Sequence, residues 1–129
     1  MPVTSLNDVP AAAQALAGRG IQAFVAAANL TVYNAMPFLA KVAAQHKIPV
    51  FTAEAGIARA GAAVGWGLDY YEWGYQGGTV AARLLRGARL QDVPLRPYTN
   101  FRLFINEDAC RRQGLTITDD MRRRADKIL

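Results

Sequence analysis

Three polar residues stand where an open parallel sheet presents its ligands: Asn29 and Thr31 after the apolar stretch AFVAAA, and Glu54 after PVFTA, two residues before Gly56. Ligands of such sheets lie beyond the carboxyl ends of the strands, on loops that lead into helix N-termini. Free backbone N–H groups beside Thr31 would take a carboxylate. The plainer reading makes Asn29 and Thr31 a turn residue and an N-cap, and Glu54 a solvated loop acid. Residue types alone leave both open. Trp66, Tyr70, Tyr71, Trp73 and Tyr75 could stack on an aromatic or amide-bearing ligand. Tyr71 and Tyr75 are four apart, however, and core or rim packing on the sheet is the expected role.

Other reactive residue types are isolated. His46 lacks a partner at metal-ligand spacing and belongs at a helix C-terminus beside Lys47, where cations favour the dipole. Cys110 has no histidine near it in sequence and reads as a packing residue. The patterns G-x-x-x-x-G-K-[ST], G-x-S-x-G, H-E-x-x-H and paired C-x-x-C do not occur. Asp69, Glu72 and Glu54 lack an identifiable partner base. The expectation is therefore a non-enzyme, with no catalytic residues, no metal site and no cofactor.

The elements that must position these residues alternate between strand and helix. DVPAAAQALA, residues 8–17, reads as a helix started by Asp8, with Pro10 tolerated in its first turn. IQAFVA, 21–26, is nearly continuously apolar, which predicts a strand buried on both faces. A helix capped by Thr31 follows, with Val32, Ala35, Met36, Leu39, Val42 and Ala43 on one face and Pro37 inside it, expected to bend it or shorten its first turns. PVFTA, 49–53, gives a second parallel strand; EAGIAR a loop; GAAVGW, 61–66, a weaker strand whose glycines permit close approach of a ligand or neighbour. Asp69 then caps a helix to Leu85, its glycines tolerable if it is packed. LQDVPLRP is a connector and YTNFRLFIN a strand. Asn106 caps EDACRRQ, which Gly114 ends, and Thr118 caps DDMRRRADKI. The class is α/β, a parallel sheet flanked by helices.

At 129 residues, 52% hydrophobic and 19% charged, the chain supports a real core and argues against disorder or a disulfide scaffold. A net charge of +5 raises the question of nucleic acid. Much of the excess lies in Arg111, Arg112, Arg122, Arg123 and Arg124 without aromatic interleaving, so solvated helix faces are expected and a nucleic-acid partner is not. MPVTSLNDVPAAAQALAG reads as neither a secretory signal nor a membrane span.

The order KIPVF, the AG before the third strand, GLDYYEWGYQGG, LLRG before DVP, and IN, CRRQGLTIT near the end resembles the family of ABC-transporter solute-binding proteins related to the tryptophan-binding lipoproteins, over nearly the whole chain. The resemblance implies one lobe of a type I periplasmic-binding-protein fold: residues 1–97 as the C-terminal ligand-binding lobe, and 98–129 as a hinge strand and helices that would pack on a missing N-terminal lobe. It implies a small-molecule solute, an amino acid or similar, held between lobes, an ABC permease as partner, and a periplasmic or extracytoplasmic place for the full-length protein. Self-association through the exposed lobe face is a further expectation. The family's loop at Asn29 usually carries Asp followed by Asn-Thr, so Asn29, Leu30, Thr31 departs from it; the second loop carries Asp or Glu, matched by Glu54 with Gly56. The alternatives are a ligand-sensing domain of a transcriptional or signalling regulator, and a truncated product without function of its own.

Overall fold

A computed structural model describes residues 3–93 and 99–129. The end of the connector LQDVPLRP, the first residue of YTNFRLFIN and the 97/98 boundary lie outside the described residues. Five strands form one sheet in chain order: β1 (Phe24–Ala26), β2 (Val50–Glu54), β3 (Val64–Leu68), β4 (Phe101–Ile105) and β5 (Lys127–Ile128). β1, β2 and β3 are parallel, with Phe24 opposite Val50 and Phe51 opposite Val64. β4 returns antiparallel to β3, Val64 facing Ile105, and β5 runs parallel to β4. The class is therefore mixed α/β with a mostly parallel sheet.

The main core lies between the sheet and two helices, α1 (Asp8–Ala17) and α3 (Met36–His46). Val9, Ala13 and Ala17 recur every four residues and are buried, a stripe of small side chains on one helix face that lets α1 approach α3 closely. Met36, Leu39, Val42 and Ala43 answer from α3, as their spacing predicts. Asp8 is the first residue of α1 rather than its cap; its carboxylate accepts from the backbone N–H groups of Thr4 and Ser5, closing the turn that precedes the helix.

The single helix expected across residues 31–46 is two. α2 (Leu30–Asn34) ends at Ala35, and α3 restarts with Pro37 in its first turn, where a missing N–H costs nothing. The chain thus breaks instead of bending. Asn29, not Thr31, caps α2, its Oδ1 accepting from Val32 N at 3.1 Å. EAGIAR is a 3-10 helix, Ala55–Ala60, with Ala55 and Ala58 buried. At the C-terminus, α5 (Glu107–Arg112) is capped by Asn106 and ends before Gly114, as expected. α6 (Asp119–Arg124), capped by Thr118, stops earlier than its sequence suggests because Lys127 and Ile128 leave to pair with β4.

Two expectations about packing are overturned. β1 is shorter than the apolar run, and Val25 is 79% exposed, so the strand is buried on one face only. α4 (Tyr70–Leu85) has no buried residue, and Tyr71 and Tyr75 are exposed rather than packed on the sheet. Both have one cause: α4 does not cover the sheet face that carries Val25, Phe51, Trp66 and Phe101. Trp66 and Phe101 stack on each other there, ring centroids 5.3 Å apart.

The C-terminal segment is fastened to the sheet by buried polar contacts. The Gln113 side chain, 1% exposed, accepts from Val50 N at 2.9 Å and donates to Gly61 O at 2.8 Å. One amide thus satisfies the start of β2 and the end of the 3-10 helix. Gln113→Ala leaves both groups without a partner, and since each such loss costs about 1–3 kcal/mol, we expect stability to fall by about 2–4 kcal/mol. Urea denaturation would read this as a lowered midpoint at unchanged slope; a change below about 0.5 kcal/mol would show that the clasp is dispensable.

Candidate functional site

β2 ends in a local polar ring. Thr52, 5% exposed, donates from its hydroxyl to Glu54 O at 2.9 Å and accepts from Glu54 N at 2.9 Å. The β2–β3 register shifts between Thr52 and Glu54. β3 permits this because it has no side chains in the way: a Cβ on Gly67 would lie 1.9 Å from Ala53 O, and one on Gly65 2.6 Å from Glu54 O. The strand glycines therefore serve a neighbouring strand, one of the two uses their types allowed. The turn carries the Glu54 side chain back over Gly56, its Oε1 3.4 Å from where a Gly56 Cβ would be.

Glu54 opens into a depression of about 410 Å³, a size suited to a small molecule, with Gly56, Arg59, Asp69, Tyr70 and Lys127 around it. Two acids and two bases line one space together with Tyr70 and Tyr71. Asp69 is committed as the cap of α4, accepting from Tyr71 N and Glu72 N. Arg59 lies over the Phe104 ring, 5.8 Å from its centroid. Glu54 makes no ion pair among the described residues, and burial pushes its carboxyl above the ordinary value of 4.5. It is the acid of the group left to a ligand.

The other two expected site residues stand elsewhere. Asn29 is exposed, engaged as a cap, and borders a different, apolar groove between α1 and β1 lined by Val9, Leu16, Phe24 and Leu39. Thr31 is the second residue of a five-residue helix and borders neither space. Arg59 and Lys127 were missed as site residues because they reach the depression only through the 3-10 turn and through β5, neither of which the sequence pattern announces. Tyr33, off the apolar face of the helix read as a single element, joins the core because the break at Ala35 resets that face.

The remaining candidates take structural roles. His46 Nε2 hydrogen-bonds Gln14 Oε1 at 2.8 Å at the end of α3. Cys110 is fully buried, its thiol donating to Ala63 O, and burial pushes its pKa up to about 11, which keeps it protonated and unreactive. The C-terminal arginines pair locally: Arg111 and Arg112 with Asp108, Arg122 with Glu107, Arg123 and Arg124 with Asp120. No helix among the described residues is long and apolar enough to cross a membrane.

A model of the ABC transporter substrate binding protein family matches residues 1–129. The chain belongs to that family. It is a substrate-binding, non-catalytic class. The chain is 33% identical over 106 residues to the tyrosine-binding protein of Clostridioides difficile, covering 82% of this chain and 30% of that one. An uncharacterized protein of Rickettsia prowazekii is 24% identical over 119 residues, 92% of this chain and 39% of the relative. The chain thus spans about a third of the length of these curated relatives. Among solved structures, a conserved domain protein of Vibrio cholerae superposes with a TM-score of 0.82 at 29% identity, covering 98% of this chain and 43% of that one. An ABC domain in complex with L-Trp from Streptococcus pneumonia shares the fold, with a TM-score of 0.82 at 18% identity over 100% of this chain and 43% of that one.

The position of Glu54 has a consequence for stability. Well below pH 4.5 its carboxyl is protonated whether the chain is folded or not. As pH rises through that value the unfolded chain ionises first, so the folded state loses stability until its own carboxyl has ionised too. Glu54→Gln removes this loss. We expect the variant to gain on the native chain as pH rises through 4.5 and then to hold that gain once the folded carboxyl has ionised, by urea midpoints measured across pH, and an unchanged difference would show that Glu54 is solvated like any loop acid.

Proposed function

We propose that this chain supplies one wall of a solute-binding cleft of an ABC importer, and that the solute is an amino acid or a close relative. The observation that carries this reading is the unpaired, partly buried Glu54 at the carboxyl end of β2, facing Arg59 and Lys127 across a depression lined by tyrosines. Its chemistry matches a zwitterion: the ammonium group on Glu54, the carboxylate toward Arg59 and Lys127, an apolar or aromatic side chain against Tyr70 and Tyr71. The kinship with a tyrosine-binding protein supports the same class of solute. Asn29 and Thr31, at the end of β1, are assigned to the rim that a larger solute or a second wall would reach.

In the full-length protein we place this lobe outside the cytoplasm, with residues 1–97 as the ligand-binding lobe and 98–129 as a hinge strand and helices against a second lobe that closes on the solute and meets an ABC permease. One wall alone buries only part of a ligand, so affinity should be weak. The uncovered face of Val25, Trp66 and Phe101 supports self-association of the chain by itself.

The test is a titration of the chain with L-amino acids followed by backbone amide NMR shifts, with light scattering on the same sample. Expected are shifts grouped at Glu54–Gly56 and Asp69–Tyr71, a Kd near millimolar, worth about 4 kcal/mol, and their loss in Glu54→Gln. Sub-micromolar binding would overturn the single-wall reading, shifts confined to Asn29 and its groove would overturn the site, and a monomer at every concentration would overturn self-association.

A further inference from the structure

A sheet face and a helix are both left uncovered in this chain. The sheet face holds a hollow of about 380 Å³ bordered by Val25, Phe51, Val64, Trp66 and Phe101, with no charged residue on its border. Val25, Trp66 and Phe101 are exposed there, and no helix among the described residues covers them. α4 is the complement. None of its 16 residues is buried, yet Tyr75, Gly78, Ala82 and Leu85 recur at steps of three and four, an apolar stripe set apart from the polar row of Glu72, Gln76, Thr79 and Arg83. Leu85 is 89% exposed and Tyr75 67%. Most helices in proteins draw their stability from packing such a face. The glycines point the same way: a Cβ on Gly74 or Gly78 would meet nothing within 4 Å, so no neighbour among the described residues calls for glycine, which weakens a helix relative to alanine. Glycine does let a backbone lie close against another surface.

We propose that α4 of a second copy of this chain covers the sheet face of the first, and the reverse, so that two chains exchange helices across a twofold axis. This rests on the self-association proposed above and goes beyond it by naming what meets what. Each copy carries one helix stripe and one sheet face. A single contact leaves one of each open, whereas the reciprocal pair closes both. The chemistry matches: the hollow has no charge to lose water, and the polar row of α4 stays beside the contact, in solvent. The size suffices as well. With about 100 Å² still open on each large side chain, roughly half of what an aromatic residue buries, Tyr75 and Leu85 on Val25, Trp66 and Phe101 in both contacts bring the interface to about 1,000 Å², the threshold for a specific one. Two sheet faces stacked on each other would cover the same three residues and leave both helices bare.

The experiment follows mass against concentration, by light scattering and sedimentation, for the full chain and three variants. Tyr75→Gln with Leu85→Gln strips the helix stripe, Val25→Gln with Phe101→Gln strips the sheet face, and Gly74→Ala with Gly78→Ala adds two methyl groups to the helix. All six positions are exposed, and far-UV circular dichroism checks the fold. Expected is a native dimer, with the helix-stripped and the face-stripped chain each dissociating at least about 10-fold more readily. An equimolar mixture of those two should associate more tightly than either alone, because one intact helix then meets one intact face. The alanine variant should gain helix and lose dimer, a result that does not depend on the glutamine variants folding. A helix-stripped chain as dimeric as the native one, or an alanine variant that dimerises undiminished, would overturn the exchange and leave self-association standing. A mass that climbs past two copies would overturn the twofold closure. A native chain that is monomeric at every concentration would overturn self-association itself, and the exchange with it.

Discussion

The close crossing of β2 over β3 is the constraint on which the site depends. Ala53 and Glu54 pass so near Gly65 and Gly67 that a single methyl group on either would collide with backbone oxygen atoms. Backbone is the least compliant thing a Cβ can meet, and relief would require moving the end of β2 as a unit. That end carries Glu54, begins the Ala55–Ala60 turn, and sets the height at which Arg59 enters the depression. Glycine usually weakens a strand. Here two of them are what allows a parallel strand to shift register and turn its last acid into the depression.

The turn that follows is held from the other side by the C-terminal segment. Asn106 caps α5 with one amide atom and donates with the other to Ala58 O at 2.8 Å. Gln113 closes on Val50 N and Gly61 O, and Lys47 Nζ donates to Arg112 O at 3.1 Å. β5 completes the arrangement: Asp126 accepts from Leu103 N and Arg102, contacts that hold its carboxyl below the ordinary carboxylate range, and brings Lys127 to the depression. The last 24 residues therefore act on the site twice, through the base of the 3-10 turn and through a lysine at its rim.

Local signals in the sequence were read correctly where short-range physics decides the outcome. Asp69, Asn106 and Thr118 were legible as caps because an oxygen three residues before a free N–H needs nothing from the rest of the fold. α1 was legible from its start and stop residues, the apolar face of α3 from spacing, and the parallel pairing of β1 with β2 from the strand–helix–strand alternation. What was not legible depended on partners distant in sequence. The cap of α2 is an exception: Asn29 and Thr31 are both capping residue types within one turn of a free N–H, and residue type alone does not choose between them. The exposed state of Val25, Tyr71 and Tyr75 reflects which element covers the outer sheet face, a fact no window of residues contains. Of the three expected site residues only Glu54 meets the aromatic and basic groups, because it alone lies at the register shift.

The separation between Glu54 and Asn29 also bears on how a family built on this lobe gains affinity. A carboxylate already part-buried, with its pKa raised, has lost some hydration before any ligand arrives. An ammonium that meets it recovers that loss, and the attraction grows as water leaves the surroundings, because the same charges at the same distance interact several-fold more strongly at an effective dielectric of about 20 than in bulk water. A single wall cannot remove that water. A second surface closing over the depression would strengthen the pair already formed without adding any contact to it. On the proposed reading, preorganisation on one wall and drying by another would trace weak binding by this chain and tight binding by a closed cleft to one carboxylate whose position two glycines fix.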